Sequence, residues 1–322
     1  MTKRELVLAA FNNERAPRAP VGFWFHFLPE ERWGDGLKDA EVFNLNFAGH
    51  KDFIERYNPD FVKIMSDGFF IPPTADINNI SDLRSIEPLV CKDEWIQMQV
   101  ELVKKVSLLD SNMVYFYNIF SPLTTLRFMV GAEKLLSFIS TDISLVGKAV
   151  YNLGITLSML AERIVSEGGA DGIYFSVQNP DIKRITDAAY AEYFSPADSL
   201  VLQASASDNN ILHICGYEGV RNRLPAWRGY NAKAYNWAAH VEGVSLAEGK
   251  ALFSGKAVIG GFANPKGSLI DAGGREEIES FVKKLLLDCG SRGVIIGADC
   301  TISSDIHPER FEWVRQAAVL AN

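Results

Sequence analysis

The sequence contains few cysteines and no long run of a single chemical type. Its 322 residues include 4 Cys and 5 His, which is too little cysteine for the disulfide framework of a small secreted protein. No uninterrupted apolar stretch approaches about 20 residues, so we expect no membrane span, and the first residues lack the apolar core of a signal peptide. These absences predict a cytoplasmic protein whose cysteines are reduced thiols.

The charge balance argues against a protein that binds nucleic acid. There are 32 Lys and Arg against 40 Asp and Glu, a formal charge of −8, and no long Lys/Arg run that would follow a phosphate backbone. Apolar residues make up 48% and charged residues 22% of the chain, which is the balance of an ordinary globular protein. No Pro/Ser-rich linker or change in composition divides the chain, so we expect a single domain over residues 1–322.

Short apolar runs alternate with segments of helical periodicity, which is the pattern of βα units. Eight such units over this length predict a (β/α)8 TIM barrel, preceded by an N-terminal helical extension that begins with the capping-box pair Thr2 and Glu5. The alternative is a doubly wound open sheet, which would place a glycine-rich loop after the first strand; residues 25–29 (FHFLP) contain no glycine. The eight predicted strands cover residues 20–27, 61–66, 113–119, 172–177, 211–215, 234–237, 257–260 and 293–296.

In a barrel of this type, functional residues lie at the carboxyl ends of the strands and in the loops that follow them. Asp67 is a candidate general acid or base there, although Ser-Asp-Gly is also a turn sequence. His26 lies among aromatic residues and is either an active-site base or a core histidine. Five polar residues at other strand ends are candidate substrate-binding residues: Asn118, Ser176, Gln178, Asn236 and Asn264.

The most specific candidate is the pair His213 and Cys215. Residues two apart on a strand face the same side, so the imidazole and the thiol can reach one point at the barrel mouth, where Cys300 brings a second thiol. One His and two Cys form a ligand set that suits Zn²⁺ and leaves a fourth position for substrate. The alternative is that each cysteine is a small buried hydrophobic residue, as we expect for Cys91 and Cys289, which are not placed to join the set.

Several stretches of the chain resemble the uroporphyrinogen decarboxylase superfamily, which also contains zinc-dependent methylcobalamin:thiol methyltransferases of the coenzyme M type. The resemblance covers nearly the whole chain in order and is more specific in the C-terminal half. It implies a single (β/α)8 barrel, in agreement with the strand count. The matching stretches are residues 66–67 (SD), 121–131, 211–216 (ILHICG), 258–265 (VIGGFANP) with Leu269, and 294–309, which contains ADC at 298–300.

The two branches of this superfamily make different demands on the sequence. The decarboxylases carry an arginine-containing motif directly after the first strand, where arginines can pair with substrate carboxylates; here residues 24–29 (WFHFLP) contain no arginine. The methyltransferases use a His-x-Cys pair and a late Cys as zinc ligands, and these resemble His213, Cys215 and Cys300. The resemblance therefore favours the methyltransferase branch, although Asp299 stands where that pattern usually has a small residue.

The implied reaction transfers a methyl group from a methylated corrinoid, or a similar donor, to a zinc-activated thiol. The expected cofactors are zinc and methylcobalamin or another corrinoid, free or on a partner corrinoid protein. The expected substrate is a small-molecule thiol, with no nucleic acid and no membrane as partner, and Asp67 and Asn264 are expected to orient substrate or donor. Two alternatives stay open: a uroporphyrinogen decarboxylase-like enzyme that depends on Asp67 rather than on a metal, and a non-catalytic binder of a corrinoid or other small ligand.

Overall fold

A computed structural model describes residues 1–90, 92–178, 185–290 and 292–319 of the protein. Its central element is a parallel sheet of seven strands, whose order in space follows their order in the sequence. A helical segment connects each strand to the next, because a parallel pair needs a crossover connection. The strands are Phe61–Ile64 (β1), Val114–Phe120 (β2), Gly172–Gln178 (β3), Ile211–Cys215 (β4), Ala234–Trp237 (β5), Ala257–Phe262 (β6) and Val294–Ala298 (β7).

Helices precede, connect and follow these strands. Their bounds are Lys3–Phe11 (α1), Ala40–Tyr57 (α2), Glu94–Ser107 (α3), Pro122–Val130 (α4), Ala132–Ser166 (α5), Asp187–Tyr193 (α6), Ser195–Ala204 (α7), Ala239–Glu242 (α8), Leu246–Leu252 (α9), Leu269–Ala272 (α10), Arg275–Cys289 (α11) and Glu309–Ala317 (α12). Short 3₁₀ turns occur at Glu30–Arg32, Ile80–Ser85, Tyr217–Gly219 and Leu224–Trp227.

The eighth strand, predicted at residues 20–27, is not formed. In the described part of the chain this segment makes a single parallel bridge, between Val21 and Ile296 of β7. Pro20 has no N–H to donate, and the Val21 N–H donates to the Asp60 carboxylate (2.7 Å) instead of a neighbouring strand. The Val21 carbonyl accepts from the Asp60 N–H (3.0 Å), so the segment lies between β7 and the start of β1 without forming a ladder. The fold is TIM-barrel-like, and its described residues form seven strands where eight were predicted.

The inner face of the curled sheet changes from apolar to polar along the strands. Alternate strand residues point inward, and apolar side chains fill most of the interior. The predicted N-terminal helix is present as α1, with the Thr2–Glu5 capping box formed, and its Phe11 ring packs 5.7 Å from the ring of Phe116. The apolar inner residues include Trp24, Phe61, Met65, Val114, Phe116, Tyr174, Ile211, Ala234, Ala257, Ile259 and Ile295.

Helix α5 is the longest element and is bent at Asp142. The backbone of Asp142 is non-helical (φ −155°, ψ 87°), and its carboxylate accepts from the Leu145 N–H (3.0 Å), as an N-cap does. By length and composition α5 could cross a membrane; in this fold half of its most apolar stretch is buried, and it packs against α4 and α7.

Two buried side chains of α2 hold the strand end that carries Asp67. Asn46 donates to the carbonyls of Met65 (3.1 Å) and Asp67 (2.8 Å). His50 accepts from the Met65 N–H at Nε2 (2.9 Å) and donates from Nδ1 to the Asn46 carbonyl (2.9 Å). Burial lowers the pKa of His50 to about 4, so the imidazole is neutral at neutral pH and the loop after β1 is fixed by uncharged hydrogen bonds.

We predict that His50 makes the fold sensitive to acid. The unfolded chain binds a proton at His50 below about pH 6.5 while the folded chain resists it down to about pH 4, so stability falls as the pH drops through this window, by about 3 kcal/mol in total. His50→Gln is less stable at pH 7 but loses this part of the pH dependence. Urea unfolding between pH 7 and pH 4 measures the free energy of unfolding, and a variant of an exposed histidine, His307→Gln, is the control. If this free energy falls equally with decreasing pH in His50→Gln and in wild type, the prediction is contradicted.

Candidate metal centre

The structure brings together the three residues predicted as zinc ligands. His213 and Cys215 lie two apart on β4 and both point inward, while Cys300 lies two residues beyond the end of β7. The Sγ atoms of Cys215 and Cys300 are 3.8 Å apart, and Cys300 Sγ lies 3.5 Å from His213 Nε2. All three potential ligand atoms fall within 4.8 Å of one another.

These distances fit a tetrahedral zinc ion. With Zn–S bonds of about 2.3 Å and Zn–N bonds of about 2.0 Å, two sulfurs lie about 3.8 Å apart and a sulfur lies about 3.5 Å from a nitrogen. Both values agree with those measured from Cys300. Thiolate and imidazole donors favour zinc over magnesium or calcium. The residues therefore have both the chemistry and the spacing to hold zinc with three protein ligands.

Asn236 fixes the orientation of the His213 ring. Its Nδ2 donates to the carbonyls of Ile259 (2.9 Å) and Ala298 (3.1 Å), so its Oδ1 must face His213, where it accepts from Nδ1. This places the imidazole proton on Nδ1 and leaves the lone pair of Nε2 directed at the two thiols. Such an outer hydrogen bond is the usual support of a metal-binding histidine.

The two thiols at the site differ in acidity. The hydrogen bond from the Cys215 thiol to Cys300 lowers the pKa of Cys300 and raises the pKa of Cys215. The nearby His213 lowers the pKa of Cys300 further. A cation bound between the two sulfurs would hold both as thiolates.

Three predicted substrate-binding residues lie on the strands beside the candidate ligands, and two of them, Asn118 and Ser176, belong to a buried polar network. Asn118 donates to Ser66 Oγ (3.0 Å) and accepts from Ser176 Oγ (2.8 Å), which joins β1, β2 and β3. Gln178 lies opposite Cys215 in the β3–β4 register, and its buried Oε1 has no hydrogen-bond partner within the described ranges. The Asn118 amide, in contrast, is already engaged through both its nitrogen and its oxygen.

His26 and Asp67 form a pair at the same end of the sheet. His26 Nδ1 lies 2.8 Å from Asp67 Oδ1, and Asp67 Oδ2 accepts from the Phe27 N–H (2.7 Å). His26 Nε2 lies 3.4 Å from Thr301 Oγ1, next to Cys300. Asp67 is fully buried, so the imidazole is the member of the pair that faces the mouth.

The remaining predicted residues lie farther out. Asn264 donates to the Thr301 carbonyl (3.2 Å) and so supports the loop that carries Cys300. Asp299 turns away from the site: its carboxylate accepts from the backbone N–H of His240 (2.9 Å) and lies 2.9 Å from His240 Nδ1, which raises the pKa of His240.

Cys289 does not join the candidate metal centre. Cys289 ends α11, and burial raises its pKa, as for a small hydrophobic residue. Cys91 lies outside the described residues.

A cavity of about 740 Å³ opens beside the mouth. It reaches Gly68, next to Asp67, and Tyr217, two residues beyond Cys215. Aromatic rings of Trp33, Phe70 and Phe128 form much of its wall. Its charged lining is mostly acidic: Glu30, Glu31, Asp35 and Asp76, with Lys38.

Two buried, positively charged side chains near the candidate metal centre were not among the predicted site residues. Lys63 lies on the inner face of β1 and is 5% exposed. Arg127 of α4 is 6% exposed, and its guanidinium lies 4.5 Å from the centroid of the Tyr217 ring. Its Nη2 has no hydrogen-bond partner among the described residues. The sequence does contain a signal for Lys63: it is the one charged residue in the apolar run 61–65 (FVKIM), at a position whose side chain points to the inner face of the sheet.

Fold and site together define a TIM-barrel-like α/β protein with a thiol–imidazole centre at the carboxyl ends of its strands. The family model for uroporphyrinogen decarboxylase (URO-D) matches residues 2–319. The chain therefore belongs to the uroporphyrinogen decarboxylase family. A search of curated proteins gives no match.

Solved structures with the same fold include proteins of several activities. A methyltransferase from Methanosarcina mazei superimposes with a TM-score of 0.73 at 14% identity, over 99% of this chain and 98% of that one. A B12-independent methionine synthase from Shewanella sp. W3-18-1 gives 0.61 at 11% identity, over 94% and 97%. A β-mannanase from the blue mussel Mytilus edulis gives 0.52 at 11% identity, over 93% and 92%. At these identities the likeness is one of fold.

We predict that Asn236→Ala weakens zinc binding by about 10- to 100-fold, because the His213 ring loses the partner that sets its tautomer and orientation. Competition with a chromophoric chelator measures the zinc dissociation constant. Asn152→Ala is the matched control, since the Asn152 amide also donates to a backbone carbonyl, that of Ile86 (2.8 Å), but does so away from the site. Equal zinc affinities for Asn236→Ala and wild type would show that the amide does not support the ligand.

Proposed function

We propose that this protein is a zinc-dependent methyltransferase that transfers a methyl group from a methylated corrinoid, or a similar donor, to a small-molecule thiol. The observation that carries the proposal is the convergence of His213, Cys215 and Cys300 at distances that fit zinc. Three protein ligands leave a fourth position for a substrate, as in catalytic zinc sites.

The protein residues have distinct proposed roles. His213, Cys215 and Cys300 would hold the metal, and Asn236 keeps His213 Nε2 directed at it. When bound there, zinc supplies Lewis acidity that lowers the pKa of a thiol ligand and keeps it as a thiolate at neutral pH. The cavity beside the mouth supplies aromatic walls for a flat or apolar donor.

His26 is the proposed acceptor of the substrate proton. Because Asp67 lies against Nδ1, the lone pair of His26 is on Nε2, which can accept a proton at the side of the site where Thr301 Oγ1 lies 3.4 Å away. The substrate S–H bond breaks, the proton goes to Nε2 or to solvent, and the sulfur attacks the methyl carbon. The S–CH₃ bond forms as the bond between methyl and donor breaks, and the donor leaves with the electron pair.

Two kinds of similarity support this proposal. The chain belongs to the uroporphyrinogen decarboxylase family, and two proteins with the same fold are a methyltransferase and a methionine synthase. The methionine synthase is B12-independent, so the corrinoid and a partner corrinoid protein are the most specific parts of the proposal and need a direct test of the donor.

The alternative is a decarboxylase, which is the activity in the name of the matching family model. The acidic lining of the cavity opposes a substrate with many carboxylates, as does the absence of arginine from residues 24–29. Decarboxylation of uroporphyrinogen by zinc-free protein, abolished in Asp67→Asn, would establish this alternative. Tight binding of a corrinoid without zinc or turnover would instead indicate a non-catalytic binder.

We predict that the purified protein binds close to one zinc per chain, and that Cys215→Ser and Cys300→Ser lose it. Each variant replaces a thiolate, which zinc binds well, by a neutral hydroxyl, which it does not. Elemental analysis measures the metal. Demethylation of methylcobalamin in the presence of 2-mercaptoethanol, followed by absorbance and by mass spectrometry of the methyl thioether, measures the reaction.

Cys289→Ser is the matched control and keeps both the zinc and the activity, since its thiol lies outside the centre. Full zinc in both Cys215→Ser and Cys300→Ser would refute the ligand assignment. If the protein binds zinc and methylates the thiol from another donor but not from methylcobalamin, only the assignment of the methyl donor is wrong.

A further inference from the structure

Lys63 is a buried cation whose ammonium contacts no carboxylate in the described part of the chain. Its side chain points into the sheet interior and is almost fully buried. Among the described residues its ammonium forms no hydrogen bond or ion pair and instead lies over two aromatic rings. The Nζ atom is 4.3 Å from the centroid of Tyr174 and 5.1 Å from that of Trp24.

These two rings also border the candidate metal centre. The centroid of the His213 ring is 5.9 Å from that of Tyr174 and 6.3 Å from that of Trp24. Lys63 and His213 therefore contact the same aromatic pair. The ammonium and the candidate ligand His213 thus lie on the same two aromatic side chains.

The charges that face Lys63 come mainly from the centre itself. Burial lowers the pKa of Lys63 to about 8, while the negative charges of Cys300, Cys215 and Asp67 act to raise it. Asp67 is already engaged by His26 and by backbone N–H groups. An isolated buried cation is costly unless negative charge lies nearby, and the two thiols provide the remaining source.

The charge balance of the proposed zinc site gives Lys63 a role. Zn²⁺ with two thiolates and a neutral imidazole has no net charge. A thiol that binds at the fourth position breaks its S–H bond, gives up its proton to solvent, directly or by way of His26 Nε2, and adds one negative charge to the site, whereas a neutral ligand adds none. A fixed cation in the low-dielectric interior stabilises only the first of these complexes.

We propose that Lys63 is a positioning residue that makes the fourth ligand position select a thiolate over a neutral ligand. The inference rests on the proposed zinc site. It adds a residue that determines the class of substrate, and this residue lies on β1, whereas the three ligands lie on β4 and just after β7.

The test compares two small ligands in the metal-loaded protein. The site is loaded with Co²⁺, whose visible absorption changes on ligand exchange, and is titrated at pH 7 with 2-mercaptoethanol, which binds as a thiolate, and with imidazole, which binds as a neutral ligand. For Lys63→Met we expect affinity for 2-mercaptoethanol to fall about 10-fold, with affinity for imidazole changed by less than about 2-fold because no charge is added.

Three variants separate charge from structure. Lys63→Arg keeps the cation and recovers most of the thiol affinity. Lys284→Met makes the same change in net charge on an exposed face of α11 and leaves both affinities unchanged. Lys63→Met is at least as stable as wild type, because an apolar side chain of similar length replaces an unpaired buried charge.

Equal losses for both ligands, or unchanged thiol affinity in Lys63→Met, would overturn the proposal while leaving the metal site intact. If Lys63→Met does not fold, Lys63→Gln takes its place. Failure of both to fold with metal would also overturn it, since a residue that only tunes ligand choice is not needed for folding. Wild-type protein that binds no metal at all would instead refute the proposed function.

Discussion

The side-chain amide of Asn236 joins four neighbouring strands at the point where the candidate chemistry is located. From β5 it donates to the carbonyls of Ile259 on β6 and Ala298 on β7, and it accepts from His213 on β4. Because its nitrogen is committed to the backbone, its oxygen can only accept, and the imidazole must then present Nε2 to the thiols. The hydrogen bonds that hold the curled sheet together at this level therefore also fix the tautomer of the candidate ligand.

The same arrangement explains why the centre forms where it does. Parallel strands end at one edge of a sheet, and curling brings the ends of β4 and β7 together although Cys215 and Cys300 are 85 residues apart in sequence. The interior below is apolar and excludes water, which strengthens every electrostatic interaction at the edge. The Lys63 ammonium is buried at this edge and interacts electrostatically with the two sulfurs. Asp67, His26 and Asn118 surround the candidate metal centre through separate hydrogen bonds.

Much of the site could be predicted from sequence because strand periodicity is local. The inward pairing of His213 and Cys215 follows from their spacing alone, and the position of Cys300 follows from the end of β7. Asn236 was predicted as a substrate-binding residue, but the structure shows its amide engaged behind His213, a role that depends on the backbone of two other strands. Lys63 was missed because an interior lysine is rare, and its neighbours Tyr174 and Trp24 come from distant parts of the chain.

The main error in the predicted fold has a local cause. The segment at 20–27 has the composition of a strand, but the Val21 N–H donates to the Asp60 carboxylate and Pro20 has no N–H. A side chain also sets the start of the second part of helix α5, because Asp142 interrupts the helix and caps the part that follows. In each case a side-chain hydrogen bond, invisible to periodicity, decides where regular structure begins.

X-ray absorption at the zinc edge tests the central claim most directly. For the wild-type protein loaded with zinc, the account predicts two sulfur neighbours at about 2.3 Å and at least one nitrogen at about 2.0 Å, with a third sulfur after addition of 2-mercaptoethanol. A first shell of oxygen and nitrogen alone, or a shell that does not gain sulfur when the thiol is added, would contradict it.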